Sequence, residues 1–188
     1  MKEHQHQLAA MKGFLNLCTS TGITAWLTGG WGIDFLLGRE TRVHSDIDFM
    51  ANRDDYSALS RIISGFADTI TLNSVQKMKF SIDGIRFDIC FFFNMNGNYV
   101  LDLNERDPCV YPMPANSFPT DKPVEYAGLE ANVISWDAQY VAKRGFYYCS
   151  KEPLREKDMQ DLNIIQKNLS ADIAKLESLF PGVKKGMI

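Results

Sequence analysis

The chain contains two neighbouring stretches, Trp26-Leu27-Thr28-Gly29-Gly30-Trp31-Gly32 and Asp46-Ile47-Asp48-Phe49. The first is an apolar run that ends at two adjacent glycines, which predicts a buried strand, a turn and the start of a helix. The second alternates acidic and apolar residues, so a strand there would place both acids on one face. Two carboxylates about 6.6 Å apart at their Cα atoms repel each other unless a positive charge compensates them. A divalent cation is the usual compensation, although the same pattern also occurs on solvated strand faces.

Length and composition indicate an ordinary globular protein. The chain has 188 residues, 45% of them hydrophobic, and a formal net charge of −3, so we expect one domain or a domain with a small appendage. Its apolar runs are too short to span a membrane, and residues 1–6 lack the basic-then-apolar pattern of a secretory signal. A mildly acidic chain also lacks the clustered Lys and Arg typical of nucleic-acid binding. We therefore expect a cytoplasmic protein, monomeric or homodimeric, that binds neither membranes nor nucleic acid.

The four cysteines are widely spaced and include no Cys-x-x-Cys pair: Cys18, Cys90, Cys109 and Cys149. Two of the three histidines, His4 and His6, lie at the N-terminus. A zinc site is therefore not expected. We interpret the thiols as small buried hydrophobic groups.

Strand and helix patterns alternate in the first half of the chain and predict an α+β fold, with a small mixed sheet flanked by helices and a helical C-terminal part. The turns Asp83-Gly84 and Asn96-Gly97 predict hairpins. Strands are predicted at 23–28, 46–50, 77–82, 85–93 and 99–103, and helices at 3–21 and 31–37, from 54 or 55, at 135–148 and 156–169, and from 170 up to Pro181-Gly182. We divide the chain into a core (1–106), a Pro-rich loop and connection (107–134) and a helical C-terminal part (135–188) packed on the core.

Asp88 is a third acid of interest. It alternates with Phe87, Ile89 and Phe91, so it occupies the face of its strand opposite these apolar residues. An aspartate beside so much apolar surface needs a partner, which is a metal ion or, alternatively, a Lys or Arg, unless that face is simply exposed. Three aspartates from two strands can hold two Mg²⁺ ions, the arrangement used for in-line attack at phosphorus.

The order and spacing of these residues resemble those of a known enzyme family. The run Trp26 to Asp34, followed by Leu37-Gly38-Arg39 and by Thr41-Arg42-Val43-His44-Ser45-Asp46-Ile47-Asp48, resembles the signature of small antibiotic nucleotidyltransferases. This group includes the aminoglycoside 2″-type and lincosamide enzymes of the polymerase-β-like nucleotidyltransferase superfamily. The likeness is strong up to Asp48. It is looser at Phe87-Asp88-Ile89 and in the C-terminal helices, around Ser135-Trp136-Asp137-Ala138.

The resemblance implies a nucleotidyltransferase fold and Mg²⁺-dependent transfer of a nucleoside monophosphate, AMP from ATP, to a hydroxyl group. Carried over by position, Asp46 and Asp48 bind two Mg²⁺ ions, and Asp88 is a ligand, a general base or both. Gly29 and Gly30 let the backbone approach the phosphates of the nucleotide. Arg42 and His44 are implied phosphate contacts. The alternatives are a surface role for Arg42 and a structural hydrogen bond for His44.

The acceptor is less well defined by the sequence. The resemblance favours an aminoglycoside, with a lincosamide next. A polycationic aminoglycoside needs an acidic cleft, for which we consider Asp102, Glu105, Glu125 and Glu130. A lincosamide needs an apolar lining, for which we consider Phe92, Tyr111, Phe118 and Tyr126. Two other hypotheses are a nucleotidyltransferase of a toxin–antitoxin pair that modifies a protein partner, and a non-catalytic nucleotide-binding relative.

Overall fold

The computed structural model describes residues 2–102 and 109–180. Its centre is a nine-stranded mixed sheet with helices packed against it, which confirms the predicted α+β class. The main path through the sheet runs β3-β4-β5-β2-β1-β9-β8, and β6 joins β5 and β7 at one side. The pairs β2–β5 and β1–β9 are parallel, and the other pairs are antiparallel.

The strands follow the predicted order, with additions that the sequence did not indicate. The hairpin turns Asp83-Gly84 and Asn96-Gly97 are confirmed, since all four residues have positive φ. An unpredicted third hairpin turns at Ala127-Gly128, also with positive φ. The strands are β1 Ala25–Thr28, β2 Ile47–Asn52, β3 Thr69–Asn73, β4 Lys77–Ile82, β5 Ile85–Met95, β6 Asn98–Asp102, β7 Val110–Pro112, β8 Val124–Tyr126 and β9 Leu129–Val133.

The helices begin and end close to the predicted positions. Ser135 caps α4 as predicted, because its side chain accepts a hydrogen bond from the Ala138 N–H. A single 3₁₀ turn, Arg53–Asp55, precedes α3, and the predicted stop at Pro181-Gly182 lies outside the described residues. The helices are α1 Lys2–Ser20, α2 Gly29–Leu37, α3 Tyr56–Ser64, α4 Trp136–Ser150, α5 Glu156–Gln166 and α6 Ile173–Glu177. None of these helices is long and apolar enough to cross a membrane.

The region from 107 to 134 differs from the expected loop, because β7, β8 and β9 lie within it and join the sheet. Strand β9 pairs in parallel with β1, so part of this connection is built into the same sheet as the core. These strands have only three to five residues each and give little periodic signal, so the sequence pattern does not predict them. The proposed three-part division of the chain stays a prediction.

The two faces of the sheet carry two apolar clusters. On one face, α1 packs Met11 and Phe14 against Phe49 and Phe87, all of them at most 1% exposed. On the other face, α4, α5 and α6 cover a second cluster that includes Met50, Leu101 and Tyr111. Gly145 of α4 makes this packing possible, because a Cβ atom there would lie 2.1 Å from the Tyr111 ring. Helices α4, α5 and α6 therefore pack on the face that carries Asp48 and Asp88.

A disulfide joins Cys109, just before β7, to Cys149 at the end of α4. The interpretation of all four thiols as free hydrophobic groups is therefore wrong for this pair, while Cys18 and Cys90 remain free. The spacing of the cysteines did not predict this disulfide, because the two residues are 40 apart in sequence. Only the packing of α4 on β6 and β7 brings them together.

Reduction of this disulfide is expected to destabilise the protein. In the loop-entropy model, a cross-link across a loop of this length contributes up to about 4 kcal/mol to the free energy of unfolding, so dithiothreitol should lower the melting temperature. The check is thermal unfolding with and without the reductant. The control is the Cys109→Ser/Cys149→Ser double variant, whose melting temperature should already be low and should not respond to dithiothreitol. An equal effect of the reductant on both proteins would contradict the assignment.

Candidate active site

Two parallel strands bring the predicted acids together. Asp48 of β2 stands directly beside Asp88 of β5 in the register, and Asp46 immediately precedes β2. All three aspartates line one cavity of about 300 Å³ between the sheet and the C-terminal helices. Alternation along β2 sends Ile47 and Phe49 to the other face, where both are fully buried. The register of β2 and β5 therefore brings Asp48 and Asp88 together, and Asp46 lines the same cavity from the residue before β2.

Gly29 forms the turn from β1 into α2 and lies against Asp48. Its φ is +63°, and a Cβ atom at this position would lie 2.4 Å from Asp48 Oδ2. The backbone needs glycine here both for its left-handed conformation and for this close approach. The Gly29 N–H donates a hydrogen bond to Oε1 of Gln139 from α4, at 3.1 Å. One of the N–H groups that open α2 is thus satisfied by a side chain of the C-terminal part.

Gly30 makes room for His44 and Arg42. A Cβ atom at Gly30 would lie 2.4 Å from His44 Nδ1 and 2.7 Å from an Arg42 guanidinium nitrogen. His44 is 4% exposed, and its Nε2 lies 2.6 Å from Asp34 Oδ2. The other Asp34 oxygen accepts hydrogen bonds from the Thr41 N–H and hydroxyl. His44 therefore makes a structural hydrogen bond that fixes the loop before β2, and a contact from it to phosphate stays a prediction.

Asp48 carries the clearest electrostatic signature of the site. Burial, followed by repulsion from the Asp46 carboxylate, raises the pKa of Asp48 to about 6, and the Asp88 carboxylate adds to the rise. Lys77 and Lys143 act in the opposite direction. Burial is thus the main cause of the raised pKa of Asp48, and repulsion from the two neighbouring carboxylates is the second.

Asp88 is ion-paired in the absence of ligands. The Lys77 ammonium lies 2.7 Å from Asp88 Oδ2, and the Lys79 ammonium lies 3.5 Å from the same oxygen. Burial alone would lower the pKa of Lys77, but the neighbouring Cys90 and Asp88 groups raise it overall. A Lys or Arg partner is the predicted alternative to a metal ion, and Asp88 contacts a Lys in this structure.

Arg42 and Lys143 meet on the acids of α5. Arg42 donates two hydrogen bonds to the Asp161 carboxylate, at 3.1 and 2.9 Å. The Lys143 ammonium lies 2.8 Å from Asp161 and 2.9 Å from Asp158. Burial alone would raise the pKa of Asp161, but its hydrogen bond from Arg42 and the charge of Lys143 lower it. Asp161 therefore holds both cations at the edge of the cavity.

Asp158 completes this ion cluster. It accepts hydrogen bonds from the Tyr147 hydroxyl and from the Arg155 guanidinium, the latter at 2.6 Å. Burial alone would raise the pKa of Asp158, but the hydrogen bonds from Arg155, Tyr147 and Lys143 hold it well below its usual range. Asp158 is thus a charged acid that is already fully engaged with neighbouring cations.

The cavity brings together all of the predicted site residues except His44, which is buried behind Gly30. Five cations that the sequence analysis did not select also line it: Lys77, Lys79, Lys143, Arg155 and Lys157. A sequence signal existed for the first two, because the two-residue turn at Asp83-Gly84 sets Lys79 opposite Asp88 and Lys77 opposite Cys90. The other three come from α4 and from the region around α5, whose packing no local pattern predicts.

The residues considered for the acceptor site lie in different parts of the structure. Tyr111 lines the cavity, whereas Phe92 and Phe118 stack on each other beside Trp26 in the core, and Tyr126 packs on Phe35. The acids Glu125 and Glu130 face each other on the β8–β9 hairpin. They line a separate surface depression. Asp102 is not among the described residues that line the cavity, and Glu105 lies outside the described part of the chain.

The carboxylates suit a hard divalent cation in their chemistry. Within residues 2–102 and 109–180, no three potential ligands are already grouped as a metal cluster, and Lys77 occupies one oxygen of Asp88. The donor set nevertheless consists of carboxylate oxygens on one sheet face, which Mg²⁺ prefers. The Asp46 and Asp88 carboxylates repel that of Asp48, and a bound cation would offset this repulsion. We conclude that Asp46, Asp48 and Asp88 fit Mg²⁺ once Lys77 moves off Asp88.

Solved structures of known enzymes share this architecture. The crystal structure of ANT(2″)-Ia in complex with adenylyl-2″-tobramycin matches with a TM-score of 0.71 and 22% identity, covering 93% of this chain and 94% of that one. The lincomycin-bound lincosamide adenylyltransferase LnuA matches with a TM-score of 0.63 and 23% identity, covering 83% and 94%. At this identity the likeness shows the fold.

A comparison of the sequence with family models shows the family of this chain. The model of the aminoglycoside-2″-adenylyltransferase family matches residues 10–165, and the chain belongs to this family. A lincosamide resistance protein of Staphylococcus haemolyticus is 50% identical over 34 residues, which cover 18% of this chain and 21% of that protein. The match to this relative thus spans about a fifth of its length.

Proposed function

We propose that this enzyme transfers AMP from ATP to a hydroxyl group of a small-molecule antibiotic and that the transfer depends on Mg²⁺. The acceptor oxygen forms a bond to the α-phosphorus of ATP, the bond from that phosphorus to the β-phosphate oxygen breaks, and pyrophosphate leaves. The observation that carries the proposal is the position of Asp46, Asp48 and Asp88 in one cavity beside the glycine-opened start of α2.

The triphosphate is assigned to the end of the cavity formed by Gly29, Gly30, Arg42 and Lys143. The first N–H groups of a helix lack intrahelical partners and favour anions, and Gly30 belongs to this group in α2. Arg42 and Lys143 are both bonded to Asp161, so the triphosphate would compete with this carboxylate for them. Phosphoryl-type transfer depends mainly on positioning and charge neutralisation, which these groups supply.

Asp46, Asp48 and Asp88 would hold two Mg²⁺ ions, which supply charge neutralisation at the α-phosphate. Asp88 lies on β5, which pairs with β6, and Leu101 of β6 lines the apolar side of the cavity. We assign Asp88 to accept the proton of the acceptor hydroxyl. This assignment requires Lys77, now 2.7 Å from Asp88, to turn toward the incoming phosphates.

The proposal is tested with purified protein, ATP, Mg²⁺ and a panel of aminoglycosides and lincosamides, by pyrophosphate release and by the mass of the acceptor. We expect one AMP on one antibiotic per pyrophosphate released, and no release in the presence of a chelator. AMP found only on a protein while every antibiotic stays unmodified would contradict the proposal and favour the toxin–antitoxin alternative. Mg²⁺-dependent ATP binding without any transfer would favour the non-catalytic relative.

A further inference from the structure

The Lys77 ammonium lies against an acid that is assigned to Mg²⁺. It is 2.7 Å from Asp88 Oδ2, and its charge also acts on Asp48, which stands beside Asp88 in the register. A divalent cation that binds the same oxygen would be repelled by this ammonium, because two positive charges a few ångströms apart interact strongly in a partly buried site. Lys77 and a metal ion therefore compete for Asp88.

The backbone of Lys77 is fixed, while its side chain can turn. The register of β4 with β5 sets Lys79 opposite Asp88, and alternation places Lys77 on the same face as Lys79. The Lys77 N–H donates a hydrogen bond to Ser74 Oγ, and the Lys77 carbonyl accepts one from the Ser74 N–H. The flexible four-carbon stem of a lysine carries its charge to different partners from one backbone position. Release of Asp88 therefore requires only rotation of the Lys77 side chain.

The two lysines beside Asp88 differ in distance and in exposure to solvent. The Lys77 side chain is 24% exposed and that of Asp88 is 17% exposed. The Lys79 side chain is 46% exposed, and its ammonium lies 3.5 Å from Asp88 Oδ2. Ion pairs of well-exposed side chains contribute little, because water and salt screen them. Lys77 is therefore the main counter-ion of Asp88, and Lys79 is a matched lysine with a weaker contact to the same oxygen.

The charge balance around Asp88 favours joint entry of metal and nucleotide. The three carboxylates of Asp46, Asp48 and Asp88 exceed the charge of Lys77 and Lys79 by about one negative charge. Two Mg²⁺ ions alone would turn this small excess into about three positive charges. ATP carries about four negative charges, so ATP with two Mg²⁺ ions leaves the balance where it began. Metal without nucleotide is thus the unfavourable combination as long as Lys77 stays on Asp88.

We propose that Lys77 is an internal counter-ion of Asp88 that makes metal binding at this site dependent on the nucleotide. The phosphates of ATP give the Lys77 ammonium a new partner, so its side chain leaves Asp88 and frees this carboxylate to act as a ligand. This inference rests on the proposed function and adds an order of events to it, in which metal alone binds weakly. Because such coupling is reciprocal, the metal strengthens nucleotide binding by the same factor.

The test measures binding of Mn²⁺, a paramagnetic substitute for Mg²⁺, by electron paramagnetic resonance. Titrations are made without nucleotide and with an ATP analogue that cannot be cleaved between the α- and β-phosphates. The wild type should bind Mn²⁺ weakly alone and much more tightly with the analogue. Lys77→Met should bind Mn²⁺ alone about tenfold more tightly than the wild type, because the competing charge is gone. Lys77→Gln removes the same charge and should give the same gain, so it replaces the Met variant if that one does not fold.

Two control variants separate the Lys77 ion pair from other effects. Lys77→Arg keeps the positive charge and should bind Mn²⁺ alone as weakly as the wild type. Lys79→Met removes the more exposed lysine and should change the affinity less than about twofold. An equal gain in either control, or no gain in both Lys77→Met and Lys77→Gln, overturns the inference and leaves the proposed function standing. Absence of Mn²⁺ binding in all of these proteins even with the analogue overturns both.

Discussion

Replacement of Asp48 by Asn is expected to lower kcat about a thousandfold, equivalent to about 4 kcal/mol of transition-state stabilisation. The substitution keeps the size of the side chain and removes one of the charges that would hold Mg²⁺. It should also abolish the increase in melting temperature that Mg²⁺ with ATP gives the wild type. The measurements are steady-state kinetics and thermal unfolding with and without Mg²⁺ and ATP.

The same variant should not be destabilised when no ligand is present. The pKa of Asp48 is raised to about 6, above the ~3.9 of an aspartate in an unfolded chain. Between these two pKa values, the folded wild type holds a proton on Asp48 that the unfolded chain has lost. The free energy of unfolding therefore falls as the pH rises through this range. Asp48→Asn removes this loss, so its melting temperature at neutral pH should equal or exceed that of the wild type.

The matched control is Asp83→Asn, the same chemical change in the exposed turn between β4 and β5. Asn tolerates positive φ well, so activity and stability should both stay near the wild-type values. Near-full activity of Asp48→Asn, or an equal loss in the Asp83→Asn control, would contradict the role of Asp48.

Gly29→Ala is expected to reduce kcat/KM about 100-fold. The new methyl group would lie 2.4 Å from Asp48 Oδ2, so it must push this carboxylate or the start of α2 out of place. Small displacements of positioned groups are costly in transfer reactions. Positive φ at Gly29 adds backbone strain of order 1 kcal/mol. Unfolding in denaturant measures the loss of stability separately from the loss of activity.

Gly97→Ala is a matched control for strain. Gly97 also has positive φ, +82°, but a Cβ atom there would meet nothing within 4 Å. Both variants should therefore carry similar backbone strain, while only Gly29→Ala adds the clash with Asp48 and loses activity. If Gly97→Ala lowered kcat/KM as much, strain alone would account for the effect and the contact with Asp48 would carry no function.

Several features of the site could be predicted from local patterns. Alternation along two strands set Asp48 and Asp88 on one face, and the adjacent glycines marked the turn into α2. The turn at Asp83-Gly84 also predicts a hairpin, and the register of a two-residue turn sets Lys79 beside Asp88. Each of these features depends on residues close together in sequence, where backbone geometry leaves few choices.

Other features depend on packing between distant segments. The hydrogen bond from Gly29 to Gln139 spans 110 residues, and the pair Arg42–Asp161 spans 119. The disulfide of Cys109 with Cys149 and the seating of Tyr111 over Gly145 likewise require α4 to lie on the sheet. No periodicity in the sequence specifies which face α4 covers. The cations that reach the cavity from α4 and from the region around α5 therefore became visible only in the structure.

The most direct test of the proposed reaction is a parallel assay with ATP labelled at the α-phosphate and ATP labelled at the γ-phosphate. With Mg²⁺ and an acceptor, the account predicts that α-label appears on the acceptor and that all γ-label leaves as pyrophosphate. The Asp48→Asn variant should give neither product at a comparable rate. Transfer of the γ-label to the acceptor, or release of inorganic phosphate in place of pyrophosphate, would contradict nucleotidyl transfer at this site.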